Sequence, residues 1–268
     1  MAIDTTMFAV EVPAAAYSAG DRLQLRVIRG PAVVRDGYGR AILKKVFTIT
    51  DKISTPVTSW KITIKNSNWV DSISNPVAQM NDTSLAETSA AIQRGNDCEL
   101  YPNSGWFVEA ECITGGTETA AQDLIALIDI DYPSVAAIVN PINAQGEPVT
   151  IDAIYTANGT AVGSIVSAGV WNTYNVDIFK AGYKYMLVET SFRDANTGAI
   201  GFISISGASG QAGLERIIPC RNYAGGMRYL MDYSTPLVKG PMNINLMTLG
   251  ATGSYSPYAY FDFVKKKI

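Results

Sequence analysis

The chain has 268 residues, 47% of them hydrophobic and 17% charged, with a formal net charge of −3 and no histidine. Without histidine it lacks the one side chain whose ordinary pKa allows proton exchange near neutrality, which removes triad hydrolysis and the commonest metal ligand. The balance of charge gives no global field to gather nucleic acid, and sparse charge with 14 Tyr and 4 Trp fits surfaces that meet protein.

Alternation of apolar and polar residues predicts strands over 8–12, 23–29, 45–50, 60–65, 106–113 and 124–131. The run Trp60-Lys61-Ile62-Thr63-Ile64-Lys65 alternates most cleanly and describes a sheet with one buried and one outward face. Between the second and third of these runs, Asp36-Gly37-Tyr38-Gly39 reads as a tight connection, as does Asp194-Ala195-Asn196-Thr197-Gly198 later on. Ser84, Glu87 and Gly95 supply a capping box and a stop for one short helix over 85–94. No strand is followed by a regular helical crossover, so a parallel α/β fold is not expected.

Pro133, Pro141 and Pro148 oppose both helix and ladder, which places the boundary between two domains near residue 140. The second half then predicts strands over 149–156, 163–167, 174–179, 185–192, 199–206, 216–220, 227–233, 243–249 and 258–264. The expected fold is all-β: two antiparallel sandwiches of the jelly-roll kind in tandem, over 1–140 and 141–268, with one short helix. No basic segment followed by an apolar run opens the chain and no stretch approaches membrane-spanning length, so a cytosolic, soluble product is expected.

Candidate chemistry is thin. Glu109 and Glu111 share a strand face, as do Asp129 and Asp131, and paired carboxylates are the remaining route to glycoside hydrolysis. Keeping an outward face wet is their simpler role. Asp123, Asp129 and Asp131 are hard oxygen ligands suited to Ca²⁺, though their spacing fits no complete calcium loop. Trp60, Trp69, Trp106 and Trp171, with Tyr255, Tyr258 and Tyr260, offer stacking surfaces for sugars or bases, yet aromatics in alternating strands more often anchor cores and interfaces. Cys98, Cys112 and Cys220 read as small buried hydrophobes of a reducing compartment. No catalytic residue, cofactor site or metal site is assigned. The one basic cluster is Lys265, Lys266 and Lys267, read as a solvated tail or as a contact with an anionic membrane or a genome.

Two strand-rich halves of about equal length, a proline-rich hinge and a lysine-tipped final strand together resemble the double jelly-roll major capsid proteins of tailless icosahedral viruses. That resemblance implies a non-enzymatic virion protein made in the host cytoplasm. It also implies a self-assembling homotrimer that meets neighbouring capsomers and other virion proteins, with both termini near the inner surface. A minor decoration or fibre-like protein with a receptor- or glycan-binding second half is the alternative, and a non-viral carbohydrate-binding module a third.

Overall fold

A computed structural model of the protein describes residues 3–50, 57–68, 72–79, 88–91, 99–133, 147–155, 159–160, 172–175, 183–193, 200–206, 214–221, 227–230, 237–239, 243–249, 254–255 and 258–267. The chain divides into two compact units, one comprising Thr5–Ser134 with Gly163–Gly169, the other Met1–Asp4, Val135–Val162 and Val170–Ile268. Each unit contains two main sheets, built almost wholly of antiparallel pairs, and one two-stranded sheet.

The first unit is built on β1 (Ile3–Val12), β2 (Ala16–Tyr17), β3 (Arg22–Gln24), β4 (Arg26–Arg29), β5 (Ala41–Thr50), β6 (Ser59–Asn66), β7 (Ile73–Pro76), β8 (Ala78–Gln79), β9 (Thr88–Ala91), β10 (Glu99–Leu100), β11 (Trp106–Thr114), β12 (Gly116–Thr117) and β13 (Gln122–Asp131). One sheet runs β10-β5-β13-β1-β4, with β8 and β9 also on β5, and the other runs β3-β11-β6-β7. Leaving aside the short additions, one sheet takes the first, third, sixth and eighth strands of a set of eight, and the other takes the second, fourth, fifth and seventh. This interleaving is the double Greek key of a jelly roll.

Strand β6 forms because its apolar residues fall two apart. Trp60, Ile62, Ile64 and Asn66 are buried while the residues between them are not. On β11, Val108, Ala110 and Cys112 stand opposite Ile64, Ile62 and Trp60, so both strands supply one core-facing surface. Burial of each large apolar side chain there contributes about 1.5–3 kcal/mol. Strands β1 and β13 are buried along nearly their whole length, on both faces of their sheet. Such burial requires polar residues to find partners: Thr5 Oγ1 donates to Asp129 Oδ1 at 2.7 Å and Thr6 Oγ1 to the Pro31 carbonyl at 3.1 Å.

The second unit contains β14 (Glu147–Tyr155), β15 (Gly159–Thr160), β16 (Asn172–Asn175), β17 (Tyr183–Arg193), β18 (Ile200–Ser206), β19 (Glu215–Arg221), β20 (Met227–Leu230), β21 (Leu237–Lys239), β22 (Asn243–Leu249), β23 (Ser254–Tyr255) and β24 (Tyr258–Lys267). Its sheets run β14-β24-β17-β20, with β21 also on β17, and β16-β22-β18-β19. These are the same eight positions in the same order. The two-stranded accessory sheet also recurs, β2 with β12 in the first unit and β15 with β23 in the second. The carboxylate of Asp4, which belongs to this unit, accepts the Glu215 amide at 2.9 Å.

Two expectations change. No described residue is helical, and Thr88–Ala91, inside the expected helix, is strand β9, paired antiparallel with residues 45–48 of β5. A short helix carries a nucleation cost that one capping box barely offsets, whereas the edge of β5 offers ready backbone partners. Ser84, Glu87 and Gly95 lie outside the described residues. The final strand runs to Lys267, where the alternation had ended it at 264. The tight connection at 36–39 is present: Gly37 and Gly39 have φ of 82° and 73°, and the Asp36 carboxylate accepts the Gly37 amide at 2.8 Å. The loop over 194–198 and the predicted strand over 163–167 lie outside the described residues.

Candidate functional site

The outward face of the β3-β11-β6-β7 sheet gathers the carboxylate pair. Glu111 stands between Arg22 and Lys61, and Glu109 between Gln24 and Thr63. Arg22 Nη1 lies 3.2 Å from Glu109 and Nη2 3.8 Å from Glu111, while Lys61 Nζ lies 3.4 Å from Glu111. Each carboxylate is thus neutralised by a cation on a neighbouring strand. This is a solvated cross-strand ladder, in which each pair contributes about 0.2–1 kcal/mol. Arg22→Ala therefore lowers unfolding free energy by less than about 1 kcal/mol, measured by urea denaturation.

The three aspartates do not converge. Asp123 and Asp131 lie near opposite ends of the ten-residue β13, about 25 Å apart at the rise of an extended strand. Asp129 accepts the Thr5 hydroxyl and Asp131 Oδ2 lies 3.5 Å from Lys44 Nζ. No Ca²⁺ site can be assembled from this set.

Of the aromatics, Trp60 is buried and meets Tyr17 edge-to-face with ring centroids 5.3 Å apart. It serves the core. Trp106 begins β11 and is half-buried, Tyr255 lies in β23, and Tyr258 and Tyr260 lie in β24. Trp69 and Trp171 lie outside the described residues, as does Cys98. Cys220 lies in β19. Cys112 is a buried free thiol that donates to the Thr114 carbonyl at 3.3 Å. Burial first, then the Asp21 and Glu118 carboxylates, push this thiol above its ordinary value of 9.0. A raised pKa means the folded state holds its proton more tightly than the unfolded state, so this contribution to stability is intact below about pH 9 and is lost as pH rises beyond it. The thiol is accordingly inert to maleimide at pH 8 until the protein is unfolded, a result read by mass spectrometry with and without urea.

A polar cluster that the sequence did not announce closes this end of the unit. Glu118 is 2% exposed, and its Oε1 accepts the Thr58 amide at 2.8 Å, the Val57 amide at 3.1 Å and the Thr58 hydroxyl. Gln122 Nε2 approaches the same oxygen at 3.5 Å, Trp60 Nε1 donates to the Thr58 hydroxyl at 2.9 Å, and the Glu118 amide donates to the Ala15 carbonyl at 2.8 Å. The Glu118 carboxylate so ties the segments around Thr58 and Gln122 together, and its backbone amide adds the segment around Ala15. Its role is structural.

The basic cluster is larger than the three consecutive lysines. Lys265, Lys266 and Lys267 form the end of β24, opposite Tyr185, Lys184 and Tyr183 of β17. Lys184 is in turn opposite Lys239 of β21. Lys266, Lys184 and Lys239 therefore occupy one register row across three neighbouring strands. Alternation along a strand identifies residues that share a face, but only strand order reveals that residues 184, 239 and 266 are neighbours.

No family model matches the chain, and no curated protein matches its sequence. Among solved structures, the A223 turret protein of Sulfolobus turreted icosahedral virus is similar at 11% identity, over 98% of this chain and 99% of that one, with a TM-score of 0.22. The infectious bursal disease virus Gt strain structure aligns at 10% identity over 98% and 71%, with a TM-score of 0.25. The vicilin of Solanum melongena aligns at 6% identity over 99% and 77%, with a TM-score of 0.20. Superpositions this poor define no shared fold, and the architecture stands on the strand pairings of the chain itself.

Proposed function

We propose that this chain is a virion structural protein, the major capsid subunit of an icosahedral shell, acting as a trimeric capsomer. The observation that carries this reading is duplication: one eight-strand jelly-roll order, with its accessory two-stranded sheet, occurs twice in one chain. A protein with two like sandwiches presents two like sets of lateral surfaces. Three copies then place six sandwiches around a threefold axis, a near-hexagonal tile that covers area economically. The neutralised carboxylate ladder and the structural Glu118 cluster fit a mechanical role, in which modest contacts summed over many copies stabilise a shell.

Neighbouring capsomers and other virion proteins are the partners under this reading, with synthesis in the host cytoplasm. Negative-stain imaging of the purified protein is expected to show three-lobed or hexagonal particles. In purified virions the chain is expected to be the most abundant protein. A minor share there would instead favour the decoration or fibre role.

A further inference from the structure

We infer that Thr58 and Gln122 are the two ends of a self-forming ester cross-link, made by attack of the Thr58 hydroxyl on the Gln122 side-chain amide with Glu118 carrying the proton. The inference goes beyond the shell reading and does not depend on it.

The groups that acyl transfer needs meet at one buried point of the first unit. Thr58, Glu118, Gln122 and Thr50 are 4%, 2%, 3% and 4% exposed. Thr58 Oγ1 donates to Glu118 Oε1, so the nucleophile already directs its proton at a base. The Val57 and Thr58 amides donate to that same oxygen at 3.1 and 2.8 Å, which holds it in place as an acceptor. Gln122 Nε2 lies 3.4 Å from Thr58 Oγ1 and 3.5 Å from Glu118 Oε1, beside both the incoming oxygen and the group that can return the proton. Thr50 Oγ1 donates to Gln122 Oε1 at 3.3 Å, the oxygen on which negative charge develops. Trp60 Nε1 donates to Thr58 Oγ1 at 2.9 Å and fixes its position. A cluster that only satisfied its polar groups would need no such order, whereas here one amide has a donor on its oxygen and a nucleophile with its base on the nitrogen side.

Rotation about the last torsion of Gln122, which has a broad minimum, turns the face of the amide to Thr58 Oγ1. Glu118 takes the hydroxyl proton as Oγ1 bonds to Gln122 Cδ, and the carbonyl electron pair moves onto Oε1 under the Thr50 hydroxyl. The pair then re-forms the carbonyl, the bond from Cδ to Nε2 breaks, and Glu118 passes its proton to the departing nitrogen. One ammonia leaves, one ester remains and Glu118 is unchanged, with no oxidant, reductant or co-reactant. Burial protects the ester from hydrolysis. Thr58 directly precedes β6 and Gln122 opens β13, strands of different sheets, so the bond ties the two sheets across 64 positions of sequence. It restricts the unfolded chain as a disulfide does, without the oxidising compartment that a disulfide needs.

The test is intact-mass spectrometry of the denatured full chain, after purification and after prolonged incubation of the folded protein. The parent is expected to become lighter by one ammonia, with tandem spectra that join the peptides containing residues 58 and 122. Alkaline hydroxylamine, which cleaves esters, is expected to separate them. Thr58→Ala and Gln122→Ala are expected to keep the full mass, and Thr58→Ser, which retains a hydroxyl, is expected to link. Glu118→Gln, checked as folded by circular dichroism, is expected to link at least about 100-fold more slowly. A folded parent that keeps its full mass, ammonia lost from another residue, a link that survives hydroxylamine, or a Glu118→Gln protein that links at the parent's rate would each overturn the inference.

Discussion

Glu118→Ala is expected to cost about 3 kcal/mol of unfolding free energy, measured by urea denaturation of the full chain. The carboxylate accepts the Val57 and Thr58 amides and the Thr58 hydroxyl, and both Thr58 and Glu118 are almost fully buried. Truncation leaves the buried Thr58 amide and hydroxyl without this acceptor, at about 1–3 kcal/mol for each group fully stranded, while the amide of the exposed Val57 adds less. It also unties Thr58 from the segment that pairs Glu118 with Ala15. Glu118→Gln keeps one acceptor oxygen but introduces an amide donor, and an intermediate loss is expected. A Glu118→Ala protein within about 1 kcal/mol of the parent, an outcome ordinary for exposed carboxylates, would contradict this assignment.

Gly30→Ala is expected to be comparably damaging, by about 3 kcal/mol, for a backbone reason. Gly30 has φ of 89°, and a Cβ there would lie 2.6 Å from the Thr5 carbonyl oxygen and 2.9 Å from Thr6 Cα. The left-handed conformation alone costs a side chain about 1–2 kcal/mol, and overpacking against fixed backbone adds about 1–3 kcal/mol. Neither Thr5 nor Thr6 can yield cheaply, because their hydroxyls bond Asp129 of β13 and the Pro31 carbonyl. Gly37 supplies the control: its φ is 82°, but a methyl group added there would meet no atom within 4 Å. Gly37→Ala should therefore lose only about 1–2 kcal/mol. Equal losses at the two glycines, read from thermal midpoints, would show that the close approach to β1 carries no weight.

Much of the fold was legible because alternation is a local signal. Trp60, Ile62 and Ile64 announced one buried face, and Glu109 with Glu111 announced the wet face opposite, both as found. Residues 3–7 escaped because Asp4, Thr5 and Thr6 look like surface, whereas all three are buried and hydrogen-bonded. The Ser84–Glu87 signal was local too, but β5 offered Thr88–Ala91 a pairing edge, and tertiary context prevailed over the cap. The Glu118 cluster and the lysine row were not legible, since each depends on which distant segments become neighbours. Glu118 meets Thr58 across 60 positions of sequence, and Lys184 comes into register with Lys266 only once β17 lies beside β24.

The proposed capsid role requires a tile that closes with copies of itself, and the oligomeric state tests that most directly. Sedimentation equilibrium of the purified chain, 28.8 kDa as a monomer, is expected to give three times that mass across a wide concentration range. A monomer persisting at the highest soluble concentrations would contradict the account.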